Sequence, residues 1–517
     1  MTSRLRVGIG VALAMLLMCC VSVGAVAAGR VAAKPVLNMA DRDCEGGLDP
    51  IPNFGGFIFN LTNEPLINFA PHGGFRPGLA TSWRYLPSPK NSGKANKGFE
   101  VTLRRNARFS DGVAVTAQAV KDYLDYYEKV NGPNASELGP LSSVSTVGKW
   151  TVRIYLKTPN PVIPFALTFF PISSPRAVAN PSVFATQGPF GAGPYMVDLS
   201  HTVINSHATL VPNPYYYDKS QIRWSKIVCL DITDATTAFQ ALQAGQVDLL
   251  SNEGLDSSTT AAAVRSGFKD IAAPAGGGQI GLALDVNGTI SKPLSDIRVR
   301  RAIAYAIDKK SIVKAIYAKT GVPASEVLSS DGANPKYQNY YAYSPAKAKA
   351  LLAAAGYPNG FTVNDVIVFS QFADIAGAIA SNLAGVGIKL NLDVKSDFND
   401  WLNSLESNTT SGLIVAGTLQ SPMWAQYGNM LKPGSFFNTF GGRGWSDPVI
   451  NQLWVQGSRA SNPVPYWQKI TARVATQALY IPIVNVIAGG ALFNPKKVKG
   501  IVASPYSEFP LLWAPAS

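Results

Sequence analysis

Residues 296–308 read DIRVRRAIAYAID, and this stretch carries the strongest fold signal in the chain. It predicts a helix over residues 299–306, with Asp296 ahead of it as a turn or capping residue. A second helical segment continues over residues 309–317. Because a strand is predicted just before, over residues 282–286, the chain passes here from a strand into helices.

The same alternation of strands and helices continues on both sides of this stretch. The elements are strands 208–212 and 227–232, helix 236–245, strand 247–250, strand 362–369, helix 375–384 and strand 389–394. Strands joined by helical crossovers are typical of α/β sheets. The predicted fold class is therefore α/β, with one lobe before this stretch and a second lobe that it opens.

Short motifs along the chain resemble the sequence blocks of one family. They are EPL at 64–66, PGLATSW at 77–83, FSDG at 109–112, TA at 116–117 with Val120, GAGPY at 191–195, NPYY at 213–216, ALQAGQVD at 241–248, DIRVRRAIAYAID at 296–308, an Ala-rich helix with a Gly stop at 347–356 and GVGI at 385–388. Each motif is weak alone, but their order and spacing are strong together. Over about residues 60–395 the chain resembles the dipeptide, oligopeptide and nickel-binding branch of the ABC-importer solute-binding proteins, family 5.

This resemblance implies a two-lobed periplasmic-binding-protein fold of type II, cluster C, whose α/β lobes close around a ligand. We expect a first lobe over residues 28–285 and 491–517, with an inserted subdomain at about 71–200. The second lobe is expected over residues 286–490. The implied partners are a small-molecule or peptide ligand and an ABC permease complex in the inner membrane. We expect a monomer without a cofactor.

The first residues predict export. The run 7–26 is almost wholly apolar, follows two arginines, and ends at the small-residue cleavage signal Ala25-Val26-Ala27. This pattern predicts a signal peptide over residues 1–27 and an exported, periplasmic protein. Two alternatives are an uncleaved membrane anchor and a lipoprotein processed at Cys19 or Cys20, which would place the protein at the cell surface.

Charge and cysteines exclude some classes and suggest one crosslink. The net charge of +13 is spread along the chain without a dense Lys/Arg block, so nucleic-acid binding is not expected. Arg298, Arg300 and Arg301 are expected to lie on a helix and pair at the surface, and the alternative is that one of them faces an anionic ligand. After cleavage only Cys44 and Cys229 remain, and in an oxidising compartment they suggest one disulfide. Two separate buried thiols are the alternative.

The resemblance also points to a ligand-binding segment in the second lobe. Peptide binders of the family have a GWxxD segment whose aspartate pairs with the amino terminus of the peptide, and the matching stretch here is GTLQSPMW at 417–424. No Asp or Glu occurs over residues 407–446. Because a buried ammonium needs an anionic partner, we expect a ligand without a free amine, or one whose amine is bound elsewhere.

The candidate ligand-binding residues are polar or aromatic, or lie in Gly-rich loops. Such residues stack on and hydrogen-bond a neutral or anionic ligand. The alternative is that the aromatic residues belong to the core and that the loops are ordinary connections. The candidates are Asn53, Phe54, Gly55, Gln187, Gln420, Ser421, Trp424, Phe436 and Asn438.

Metal and catalytic motifs are not found in the sequence. His72, His201 and His207 do not have the spacing of metal ligands. There is no G-x-S-x-G, H-E-x-x-H or P-loop motif, so the chain is not expected to be an enzyme. The alternatives that stay open are a chemoreceptor partner or peptide-binding chaperone on the same scaffold, and a metal-chelate or haem carrier.

Overall fold

The structure is a computed structural model. It describes residues 34–41, 44, 48–49, 57–70, 74–88, 95–130, 135–203, 206–251, 255, 257–272, 278–317, 321–327, 329–337, 339–396, 398–406, 411–419, 421–435, 437–440, 444–486, 490–501 and 514–515. The signal peptide predicted over residues 1–27 lies outside the described residues. The elements below all belong to one unit of the chain, Pro35–Ser517.

Strands and helices alternate along the chain. The strands are β1 (Val36–Asp41), β2 (Ile67–Phe69), β3 (Phe75–Pro77), β4 (Ala80–Tyr85), β5 (Gly98–Leu103), β6 (Leu141–Val147), β7 (Thr151–Leu156), β8 (Tyr195–Val197), β9 (His207–Pro212), β10 (Lys226–Asp231), β11 (Leu249–Ser251), β12 (Lys269–Ala272), β13 (Gly278–Leu284), β14 (Gly321–Pro323), β15 (Phe361–Phe369), β16 (Ile388–Lys395), β17 (Leu413–Leu419), β18 (Tyr480–Val486), β19 (Gly490–Phe493), β20 (Val498–Lys499) and β21 (Ala514–Pro515).

Most helices cover the faces of the sheets that these strands form. The helices are α1 (Phe57–Thr62), α2 (Ala117–Lys129), α3 (Ala135–Leu138), α4 (Ile163–Ala166), α5 (Pro175–Ala179), α6 (Ser182–Gln187), α7 (Ala235–Gln243), α8 (Ser257–Arg265), α9 (Ile297–Ala306), α10 (Lys309–Ile316), α11 (Pro345–Ala354), α12 (Ala373–Ala384), α13 (Phe398–Glu406), α14 (Met423–Gln426), α15 (Pro448–Arg459) and α16 (Val464–Gln477).

The first lobe is built on a seven-stranded sheet in the order β12-β19-β11-β1-β10-β9-β8. Its centre is parallel, because β1 pairs in parallel with both β10 and β11. Successive side chains of a strand point to opposite faces. In β1, Leu37 and Met39 pack into one buried cluster and Ala40 into another. Both faces of this sheet are therefore covered, as is usual for parallel strands.

The insert is the antiparallel sheet β4-β5-β7-β6 with helices α2 to α6, residues 80–187. Helix α2 begins at Ala117, because the Thr116 side chain accepts a hydrogen bond from the Ala119 N–H. Tyr123 and Tyr127 lie one helical turn apart on its buried face, against the sheet. The insert thus has a hydrophobic core of its own.

The second lobe is built on a six-stranded sheet in the order β14-β18-β13-β17-β15-β16, residues 278–486 with its helices. Helix α9 begins at Ile297, two residues before the predicted start, because Asp296 caps it by accepting a hydrogen bond from the Arg298 N–H. Leu282 of β13 packs on one face of the sheet and Ala283 on the other. This sheet too is covered on both faces.

Arg300 does not lie at the surface as expected; only 4% of it is exposed. Its Nε donates a hydrogen bond to the carbonyl of Ala478 at 3.1 Å, and its Nη1 to that of Leu294 at 2.9 Å. Arg301 donates from Nη2 to the Thr476 carbonyl at 2.8 Å. Because the last carbonyls of a helix have no partner within it, the two arginines satisfy the carboxyl end of α16. Arg298 does pair at the surface, with Asp296.

The chain crosses between the two large sheets twice. Strand β12 belongs to the first sheet and β13 to the second, and the chain returns between β18 and β19. The start of the second lobe expected at residue 286 therefore falls one strand late, since β13 already pairs with β17 and β18. The residues of β13 do not by themselves show which strands it pairs with, so the boundary was predicted at the end of this buried strand.

One disulfide ties the start of the chain to the first sheet. Cys44 and Cys229 are bonded, with their Cα atoms 5.6 Å apart. The predicted disulfide is confirmed, and the alternative of two separate thiols is wrong. Among the described residues, no helix is long and apolar enough to cross a membrane.

Candidate ligand-binding site

The segment that follows β17 lies where the insert meets the second lobe. Ser421 is buried and bridges to Ser329, and its carbonyl accepts a hydrogen bond from the Ser330 N–H at 3.1 Å. Helix α14 follows, and the chain then forms a π-helical turn, Tyr427–Leu431. Such turns often occur at functional sites because they displace side chains from the regular helical positions.

Trp424 joins the second lobe to the insert. Its indole Nε1–H donates a hydrogen bond to the Pro159 carbonyl at 3.0 Å. The indole ring also lies against the backbone at Gly139, where a Cβ atom would be 3.2 Å from Cη2 of Trp424. On its other side the ring neighbours Trp454, with centroids 6.0 Å apart. Trp424 is therefore a buried contact residue, and its contact with a ligand stays a prediction.

Asn96 makes a second link, in which the donor lies on the insert and the acceptors lie in the second lobe. Its Nδ2 donates hydrogen bonds to the carbonyls of Ser458 at 2.9 Å and Ala460 at 3.2 Å. Helix α15 ends at these residues, so an amide of the insert caps a helix of the second lobe. The carbonyl of Asn96 accepts from the Asn160 N–H at 2.9 Å, next to the Pro159 carbonyl that Trp424 binds. The two links are therefore neighbours on the insert.

Asn438 is fully buried, and its amide is used within its own loop. Its Nδ2 donates to the carbonyls of Trp445 at 2.9 Å and Leu431 at 3.3 Å, and its Oδ1 accepts from the Trp445 N–H at 2.8 Å. Gly444 packs against it, with a left-handed backbone and no room for a Cβ atom. These bonds hold the loop in shape, and ligand contact by Asn438 stays a prediction.

The remaining candidates are exposed or lie outside the described residues. Gln187 is exposed at the end of α6, and its Oε1 accepts a hydrogen bond from Arg176 at 3.3 Å. The candidates outside the described residues are Asn53, Phe54, Gly55, Gln420 and Phe436. For all of these, ligand binding stays a prediction.

Glu137 is a carboxylate at the same contact to which no sequence motif pointed. It lies in α3, two residues before Gly139, and its Oε2 is buried without a hydrogen-bond partner among the described residues. Burial raises the pKa of Glu137 to about 7, and hydrogen bonding by Asn429 of the π-helical turn opposes that rise. The surrounding residues, ASEL at 135–138, form no motif, so the sequence offered no signal for it.

Asp331 is a second carboxylate near the segment, but its hydrogen bonds are made inside the second lobe. Its Oδ1 accepts from the Met423 N–H at 2.8 Å and from the Ser329 hydroxyl at 2.9 Å. Burial raises the pKa of Asp331, and these hydrogen bonds oppose the rise. Asp331 therefore fixes the start of α14. The described residues contain no group of three or more His, Cys, Asp or Glu arranged to hold a metal ion.

Comparison with known proteins identifies the family. The sequence profile of the bacterial extracellular solute-binding proteins, family 5 (Middle), matches residues 74–447, well over half of the chain. The protein belongs to this family, as the motifs predicted.

A relative with a similar sequence agrees with this assignment. A provisionally named ABC transporter peptide-binding protein of Brucella ovis is 27% identical over 364 residues, which cover 67% of this chain and 66% of that relative, just under two thirds of its length.

Two solved structures confirm the expected two-lobed fold. NikA from Brucella suis, in complex with Fe(III)-EDTA, has a TM-score of 0.77 at 23% identity, covering 93% of this chain and 100% of its own. AgaA from A. tumefaciens R10, in complex with agropinic acid, has a TM-score of 0.75 at 24% identity, covering 92% and 98%. At these identities the likeness shows the fold alone.

Proposed function

We propose that this protein captures a small solute, a peptide or a peptide-like molecule, between its two lobes and delivers it to an ABC permease. The proposal is supported by the path of the chain between its two lobes, in a protein that belongs to a family of solute-binding proteins. The chain crosses from the first sheet to the second and returns once, so the lobes are joined by two short connections. Lobes joined in this way close on a ligand by bending at the connections.

The two links between the insert and the second lobe support closure as the binding mechanism. The bonds of Trp424 and Asn96 both end on backbone carbonyls of the opposite part of the protein. They form only when the two parts are together, so they stabilise that arrangement. A ligand that contacts both lobes shifts the population in the same direction.

The name of the Brucella relative, an ABC transporter peptide-binding protein, favours a peptide-like solute. The lack of Asp and Glu over residues 407–446 means that this segment cannot neutralise an ammonium group. We further propose that the protein is periplasmic, acts as a monomer with a permease of the inner membrane, and binds its solute without chemical turnover.

Native mass spectrometry of the purified mature protein tests this proposal. We expect an added mass that disappears on denaturation, because an enclosed solute dissociates slowly. If the protein is empty, a thermal-shift screen with peptides, opines and metal chelates follows, and peptides are expected to raise the melting temperature. An empty protein that none of these compounds stabilises would contradict solute capture. Turnover of chromogenic esters, peptides or glycosides would contradict a purely binding role.

A further inference from the structure

One carboxylate oxygen of Glu137, Oε2, is buried without a hydrogen-bond partner among the described residues. Glu137 and Asp285 each have one buried carboxylate oxygen that accepts no hydrogen bond from the described residues. The other oxygen of Asp285 accepts two backbone N–H groups, from Ile290 and Ser291. The carboxyl group of Glu137 is hydrogen-bonded by Asn429, and none of the ion pairs among the described residues includes it.

Glu137 lies at the contact between the insert and the second lobe. Asn429 belongs to the π-helical turn of the second lobe, and Trp424 of that lobe lies against Gly139. Glu137 is therefore on the insert, facing the segment after β17 across the contact between the two parts. A solute held between the lobes at this segment would border Glu137.

The charge state of Glu137 also fits a cationic partner. Burial disfavours the charged form of the carboxyl group and raises its pKa to about 7. Burying a charge is unfavourable unless it is paired. An opposite charge within about 4–6 Å favours the charged form, so binding of a cation would relieve this unfavourable burial.

We propose that Glu137 is the anionic subsite of the ligand-binding site and pairs with a cationic nitrogen, an ammonium or guanidinium group, of the solute. The proposal rests on the proposed function and names a part of the solute that it recognises. It also supplies the carboxylate that residues 407–446 lack, from the opposite side of the contact.

The first experiment compares wild type and Glu137→Gln, purified in parallel, by native mass spectrometry. We expect the wild-type protein to retain a solute whose accurate mass and amine derivatisation show a basic nitrogen. Glu137→Gln should retain at least tenfold less of it. Asp125→Asn is the matched control, because Asp125 lies on α2 of the same insert and pairs with Lys121 at the surface. This control should retain the wild-type amount.

If the proteins are purified empty, the probes are the tripeptide mixture Ala-Xaa-Ala with free amino termini and the same mixture after N-acetylation. We expect wild type to bind the free amines at least tenfold more strongly than the acetylated peptides, and Glu137→Gln to lose that preference. A melting temperature of Glu137→Gln at or above that of wild type shows that the variant is folded, since the substitution removes a buried charge.

Three results would overturn the proposal. A retained solute without a basic nitrogen, or equal binding by Glu137→Gln and wild type, would rule out the anionic subsite at Glu137 but leave solute capture intact. A wild-type protein that binds neither tripeptide mixture also overturns it. Only if that protein also fails the screen with opines and metal chelates does the proposed function fall with it.

Discussion

The indole Nε1–H of Trp424 in the second lobe donates a hydrogen bond to the carbonyl of Pro159 in the insert at 3.0 Å. Trp424→Phe keeps an aromatic ring but removes the donor. A neutral hydrogen bond contributes about 1 kcal/mol, so we expect the variant to shift the population of the closed arrangement by roughly fivefold. Small-angle scattering of the ligand-free protein should show a larger radius of gyration. Trp454→Phe is the control, because its indole bonds only within the second lobe; equal expansion in both variants would argue against the link.

Asn96 has a left-handed backbone, with a φ of 55°, and caps α15 across the same contact. Asn96→Gly keeps the backbone free to adopt this conformation but removes the amide. We expect it to reproduce the expansion seen for Trp424→Phe, and solute retention in native mass spectra should fall. The double variant should exceed either single variant. An unchanged radius of gyration in Asn96→Gly would show that this cap does not hold the two parts together.

The disulfide joins Cys44 and Cys229, which are 185 positions apart in the sequence. Replacing both cysteines by serine restores chain entropy to the unfolded state, and we expect the free energy of unfolding to fall by about 2–5 kcal/mol. Urea unfolding of the oxidised wild type and of the double variant measures this difference. The same decrease should follow reduction of the wild type. A double variant as stable as the oxidised protein would contradict the expectation.

Lys309 is buried, and its Nζ donates to the Ala324 carbonyl at 2.9 Å. Burial lowers the pKa of Lys309 to about 7, whereas an unfolded lysine has a pKa of about 10.4. Between these values the unfolded state binds the extra proton, so the contribution of Lys309 to stability rises with pH, by at most about 1.4 kcal/mol per unit. Unfolding of wild type and Lys309→Met from about pH 7 to 9 should show a smaller rise in the variant. Parallel curves would contradict the pKa.

Asn438 and Gln187 are both predicted ligand contacts, but their surroundings differ. Asn438→Ala leaves buried polar groups of Leu431 and Trp445 without partners, so we expect a loss of stability of about 1–3 kcal/mol. Gln187→Ala changes an exposed side chain and should alter stability by no more than about 0.5 kcal/mol. Reduced solute retention in Gln187→Ala with unchanged unfolding would identify a ligand contact, whereas unchanged retention would remove Gln187 from the site.

The candidate site was only partly predictable because its contacts join residues far apart in the chain. The order of the motifs predicts that GTLQSPMW at 417–424 is the ligand-binding segment, and this stays a prediction. That sequence does not show that the Trp424 indole ends on Pro159, more than 260 positions earlier. Glu137 was missed for the same reason: an isolated glutamate in ASEL looks like a surface residue until its burial is known.

By itself, the sequence determined the alternation of strands and helices, the order of the family motifs and the cysteine pair. These depend on local patterns, such as the Thr116 and Asp296 caps, whose hydrogen bonds are made within three residues. Only the tertiary structure decided that β13 belongs to the second sheet, that Arg300 is buried at the end of α16, and that Oε2 of Glu137 is buried without a hydrogen bond among the described residues. Strand pairing, burial and charge pairing depend on distant parts of the chain, which local sequence patterns do not specify.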